Sequence, residues 1–97
     1  MPTYIALINY TEKGIQSIKD LPKRVEKARE MMGRSGVRMT SLYLTMGRYD
    51  AVSVFEAPDD ASVARAVLGI AGFGNVHTET MRAFTEDEYR DIVTALP

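Results

Sequence analysis

The spacing of apolar residues changes repeatedly along the chain, and each change marks the edge of an element. Thr3 to Tyr10 is rich in β-branched and aromatic residues and holds no breaker, which predicts a first strand. Thr11 suits the N-cap of a short helical piece from Glu12 to Lys19, with Gly14 inside it and Pro22 ending or kinking it near Leu21. Leu21, Val25, Ala28 and Met32 fall on one stripe and predict the first long helix, with Asp20 as a second capping residue and Gly33 or Gly36 as its stop.

Strand formers follow. Val37 to Met46 and Ala51 to Glu56 predict a hairpin around Gly47-Arg48-Tyr49-Asp50, where Gly47 can take positive φ. Asp59 or Asp60 caps a second long helix carrying Val63, Ala66, Val67, Ile70 and Phe73 on one stripe, closed by Gly72 and Gly74. Asn75 to Phe84 alternates, with Val76, Thr78, Thr80, Arg82 and Phe84 opposite His77, Glu79, Met81 and Ala83, and predicts the fourth strand. Thr85-Glu86-Asp87-Glu88 is a capping box before a last helix whose inward face is Tyr89, Ile92, Val93 and Leu96. The order is that of a ferredoxin-like βαββαβ domain of the α+β class with an added C-terminal helix, one domain over residues 1–97. Both long helices then lie on one face of the sheet.

A sheet face in water shows polar residues on every second position. These strands do not. Ile5 and Leu7 oppose Tyr4, Ala6 and Ile8; Val37, Met39 and Tyr43 oppose Leu42, Leu44 and Met46; Val52 and Val54 oppose Ala51 and Phe55. Both faces call for cover, and the economical cover for the helix-free face is a second copy. This predicts a dimeric α+β barrel, a homodimer or higher homo-oligomer with a cavity between two sheets; the alternative is that the last helix folds back over the open face.

Composition narrows the partners. Twelve Lys and Arg against thirteen Asp and Glu leave a net charge of -1, so no field draws in nucleic acid or an anionic membrane. Lys19, Lys23 and Lys27 form a basic ridge joined by Arg24 and Arg34, but Glu26 and Glu30 share the helix, and a solvated face explains it. The six Met residues are dispersed and read as core or interface filler. There is no Cys for a disulfide or thiolate site, no apolar run of the roughly 20 residues a membrane span needs, and no basic region before the opening apolar run. A cytoplasmic location is the expectation.

Three blocks carry a family likeness: Tyr4-Ile-Ala-Leu-Ile-Asn-Tyr-Thr11 with Gly14 and Ile18 behind it, Leu44-Thr-Met-Gly47-Arg-Tyr49-Asp50-Ala-Val52, and Gly74-Asn-Val-His-Thr78-Glu-Thr80-Met-Arg-Ala-Phe84. Together they resemble the GYD domain family, whose defining Gly, Tyr and Asp stand here as Gly47, Tyr49 and Asp50 with Arg48 inserted. The resemblance implies a dimeric α+β barrel and no activity, so no catalytic residue carries over. The chain is more distantly similar to the effector-binding domain of Lrp/AsnC-type regulators, which hold small molecules near the corresponding turn. No helix-turn-helix segment precedes the first strand, so a direct transcriptional role is not expected.

Gly47 to Asp50 is the leading ligand-binding candidate, since it combines open backbone N–H groups, a bidentate donor in Arg48, the Tyr49 hydroxyl and the Asp50 acceptor. The same residues suit a structural turn, with Asp50 holding turn amides and Tyr49 packing at a subunit contact. His77 and Glu79 share a strand face and can form a proton-handling pair; with no second His and no Cys, neither metal nor cofactor is expected. Tyr4, Tyr10 and Tyr43, with Thr78 and Thr80, can line the inter-sheet cavity or fill it. These residues favour a non-catalytic oligomeric module that binds a small molecule. A cofactor-free enzyme of the monooxygenase or isomerase type, using His77, Tyr43 or Arg82 inside the barrel, is the alternative, and a purely structural partner protein is a third reading.

Overall fold

The computed structural model describes residues 1–97 and opens on strand β1, Thr3–Tyr10. A short helix α1, Glu12–Gln16, and a single 3-10 turn, Ile18–Asp20, lead into α2, Leu21–Arg34. The sequence expects one piece to Lys19, but the chain tightens at Ser17, where φ is -113° and ψ 34°. Pro22 sits in the first turn of α2, where its missing N–H costs nothing. Strands β2, Arg38–Leu44, and β3, Ala51–Glu56, precede α3, Asp60–Ala71; β4, Val76–Ala83, and α4, Glu86–Thr94, complete the chain.

The four strands lie in the order β2-β3-β1-β4, and every neighbouring pair is antiparallel. This is the ferredoxin-like α+β arrangement that the sequence predicts. Register assigns the faces. Tyr4 pairs with Phe55 and Arg82, Ala6 with Ser53 and Thr80, and Ile8 with Ala51 and Thr78, so these residues share the face that α2 and α3 cover. There Tyr4, Ala6, Phe55 and Ala57 join Met32 and Val37 and the α3 residues Val63 and Ala66 in one buried core. Phe55, 1% exposed, stacks on Tyr4 with ring centroids 5.7 Å apart.

The opposite face carries Ile5, Leu7, Val52 and Val54, with Tyr43 and Met81 beside them. No helix of the chain lies over it. The sequence reading of β2 needs correction, because simple alternation puts Met39 with Tyr43. A bulge between Met39 and Ser41 inserts Thr40, whose hydroxyl donates to the Val54 carbonyl at 3.1 Å. The side-chain phase shifts by one residue beyond it, so Met39, Leu42 and Leu44 share the helix face while Tyr43 points to the open one. Met46, expected in the strand, lies past its end and is fully exposed.

The last helix is the larger departure. Thr85 accepts from the Glu88 N–H at 3.3 Å and the Glu88 carboxylate accepts from the Thr85 N–H at 2.9 Å, so the capping box forms as expected. Its stripe does not turn inward: Tyr89, Ile92, Val93 and Leu96 are between 46% and 64% exposed. α4 neither covers the open sheet face nor joins the core. The Cα envelope is 51 × 31 × 17 Å, thin enough in its shortest direction for one sheet and one helix layer.

Candidate functional site

The β2–β3 connection is held by its own backbone and by β1. Gly47 takes φ +131°, a conformation that side chains rarely adopt. The Thr45 hydroxyl donates to the Tyr49 carbonyl at 2.7 Å, and the Thr45 N–H to the Asp50 carbonyl at 2.9 Å. Asp50 is committed on three sides: its N–H donates to the Ile8 carbonyl at 2.8 Å, its carbonyl takes the Thr45 bond, and its carboxylate accepts the Tyr10 N–H at 2.9 Å. It therefore pins the end of β1 to the hairpin. Arg48 is exposed, with its guanidinium 5.8 Å from the Tyr49 ring centroid, and the Tyr49 hydroxyl donates to Glu79 at 3.1 Å.

Tyr43, His77 and Glu79 lie on the helix-free face with Tyr49, but not as one constellation. Tyr43 is on β2 and His77 on β4, the two borders of the sheet, about 14 Å apart at the usual strand spacing. Arg82 faces the other way and is fully engaged: its guanidinium lies 4.5 Å from the Phe84 ring centroid and 5.7 Å from Tyr4, and it pairs with Glu88 at 3.6 Å. The three proton handlers that the sequence offers thus have no shared point of action. No group of three His, Asp or Glu side chains converges anywhere in a way that could hold a metal ion.

Thr78 and Thr80 lie on the helix side, where a cavity of about 260 Å³ separates the sheet from α2 and α3. Ile8, Val25, Ala28, Met39, Val67 and Ile70 supply much of its wall. Tyr10, Ser53 and Asn75 add polar points, and Arg24 of α2 adds a cation. Burial raises the Tyr10 phenol above its ordinary 10.0, an effect that Arg24 partly offsets and Asp50 reinforces. The cavity expected between two sheets thus has a counterpart inside one protomer, and the two Thr residues line it while His77 does not.

The GYD domain family matches residues 4–93. The chain belongs to the GYD family. Its Gly47, Tyr49 and Asp50 all fall inside the match, in the connection just described. A relative from Thermus thermophilus, named a glutamine synthetase and cystathionine beta-lyase binding protein, is 40% identical over 84 residues, 86% of this chain and 88% of the relative. The crystal structure of TTHA0845, also from Thermus thermophilus, superposes with a TM-score of 0.55 at 24% identity, covering 88% of this chain and 95% of that one, and shares the fold.

In this GYD domain the candidates named from the sequence divide between two surfaces. Tyr43 and His77 lie on the helix-free side, where Tyr49 bonds Glu79; Gly47 and Arg48 are exposed in the connection; Thr78 and Thr80 lie on the cavity side; and Asp50 ties the hairpin to β1. Sequence reasoning missed Arg24, which it counted in a basic ridge. Its position on the Leu21–Val25–Ala28 side of the helix, four residues before Ala28, is the signal that could have found it.

Proposed function

We propose that this GYD domain is a non-catalytic protein-binding module that works as a homo-oligomer and docks on a metabolic enzyme. The observations that carry the reading are the apolar sheet face centred on Ile5, Leu7, Val52 and Val54, half-buried residues with no helix over them, and the exposed α4 stripe. Contiguous patches of this kind are sites of association. A second copy takes the sheet face, because two identical apolar sheets meet isologously and close. The α4 stripe then remains for a different protein, and the name of the Thermus relative supports glutamine synthetase or cystathionine beta-lyase as that partner.

The test separates the two contacts. Sedimentation of the unaltered chain should give a multiple of the 10.8 kDa protomer, and Leu7→Glu should reduce it to the protomer. Biolayer interferometry against the same organism's purified glutamine synthetase and cystathionine beta-lyase should give saturable binding to at least one, lost in Ile92→Glu with the oligomer intact. Unchanged binding in Ile92→Glu would remove α4 as the docking element, and absence of binding to both enzymes would remove the enzyme partner.

Small-molecule binding is a second reading, favoured by the helix-side cavity rather than by Gly47 to Asp50. Asp50 already accepts a backbone N–H, and Tyr49 is bonded to Glu79, so the turn offers a ligand chiefly Arg48. The cofactor-free enzyme is the least supported reading, since His77 and Arg82 lie on opposite faces of β4.

A further inference from the structure

Arg24 is half-buried, and its Nη2 is the one buried side-chain nitrogen or oxygen of the chain with no hydrogen-bond partner. Its Nη1 donates to the Gly14 carbonyl at 3.0 Å and the Ser17 hydroxyl at 2.9 Å, both neutral acceptors from the α1 segment. The four ion pairs of the chain are Arg38–Glu56, Arg82–Glu88, Arg90–Glu86 and Arg90–Asp87, so no carboxylate stands against Arg24. A guanidinium whose N–H is buried and unbonded forfeits hydration without a counter-ion, and native structures account for such a group by strain, by a function, or by a bound water or ion.

The same side chain lines the cavity between the sheet and the helices, whose remaining wall is mainly apolar. We propose that this cavity binds a small apolar monocarboxylic acid, with the carboxylate on the free edge of the Arg24 guanidinium and the hydrocarbon body among Ile8, Val25, Ala28, Met39, Phe55 and Val67. The free edge offers parallel N–H donors, the geometry that a carboxylate takes bidentately. Size sets the class further. An apolar cavity of about 150 Å³ accepts benzene, so 260 Å³ accepts a body and head of roughly ten non-hydrogen atoms. That is an arylalkanoic acid or a medium-chain fatty acid.

Lys27 and Phe73 line the cavity and are exposed, which places its mouth beside them; Lys27 Nζ lies 5.0 Å from the Phe73 ring centroid. A second cation at the entrance favours approach of an anion. Tyr10, Ser53 and Thr78 supply neutral hydroxyls along the walls and no carboxylate competes for the site. This site is on the opposite side of the sheet from the Ile5, Leu7, Val52 and Val54 face and shares no residue with the α4 stripe, so it stands independently of the docking proposed above.

The experiment is isothermal titration of the unaltered chain at pH 7 with 3-phenylpropionate and octanoate, each paired with the alcohol of the same carbon skeleton. We expect saturable binding of at least one acid, one per chain, with the matching alcohol at least tenfold weaker. Arg24→Met should weaken the acid at least tenfold and bring acid and alcohol to parity. Because Arg24→Met also loses the bonds to Gly14 and Ser17, Ala28→Phe, which fills the cavity and keeps the guanidinium, serves as a second variant and should abolish binding of both compounds. Equal binding of acid and alcohol to the unaltered chain, or binding of neither acid at millimolar concentration, overturns the proposal.

Discussion

Gly14 shows how far one residue can constrain an element. A Cβ built on it would lie 2.2 Å from the Asn75 carbonyl oxygen, a backbone atom that cannot step aside. The close approach is held by the Thr11 N–H to the Asn75 carbonyl at 3.0 Å and by the Thr11 hydroxyl to the Gly74 carbonyl at 2.6 Å. Gly14→Ala should therefore destabilise by about 1–3 kcal/mol, the usual cost of forced overpacking, seen as a lower urea midpoint with unchanged slope. Asp50 can be tested in the same way. Asp50→Ala orphans the Tyr10 N–H and should cost about 1–3 kcal/mol, whereas Arg48→Ala, which frees an exposed side chain, should stay within about 0.5 kcal/mol. If Asp50→Ala leaves urea stability intact, its role is not to tie β1 to the hairpin.

At the scale of the elements, two caps make a pH dependence. Asp59 accepts the Ser62 N–H at 2.8 Å, and that bond is the chief cause holding its carboxyl below the ordinary 3.8. The Thr85 N–H, and less strongly Arg82, hold Glu88 below 4.5. Both groups bind protons less readily folded than unfolded. Their contribution is thus complete above their unfolded values and is lost as pH falls through the lowered folded ones. Urea midpoints should hold from pH 7 to about 5 and decline below, and the double variant Asp59→Ser, Glu88→Gln, which keeps neutral capping groups, should decline less steeply. Equal acid slopes would show that the caps are not the titrating groups.

These caps were legible because a helix start is a local event written in a few neighbouring residues. The Thr40 bulge was not, since inserting one residue leaves the strand composition unchanged while reversing every side chain beyond it. The stripe of α4 was legible as a stripe, yet periodicity states only that one side of a helix is apolar and says nothing of which surface it meets. For β4 the alternation correctly parted Thr78 and Thr80 from His77 and Glu79. Which set faces the helices depends on pairing with β1, a contact between residues some seventy positions apart, and that was beyond reach. The same holds for Arg24, whose isolation from carboxylates appears only when the whole chain is assembled.

Taken as a whole, the protomer is a two-layer structure with one sheet face bare of helices. The sequence already carries this, because Ile5, Leu7, Val52 and Val54 make the middle of that face's two central strands apolar. If a second copy covers that face, folding and association are linked, and the thermal midpoint must rise with protein concentration. A midpoint that is constant across a hundredfold dilution would contradict the linkage. The packing already present depends on Phe55: Phe55→Ala should cost about 3–5 kcal/mol by chemical denaturation, since it empties the centre of the core.

The bulge in β2 reaches beyond side-chain placement. β2 forms one border of the sheet, and borders with regular spacing invite further strands to add alongside without end. With Thr40 out of step and Arg38 paired to Glu56 beside it, that margin offers an interrupted row of donors and acceptors. Growth sideways is discouraged at this border, and if copies pair through the apolar face instead, crowding this protein should lead to closed assemblies of fixed size rather than fibres.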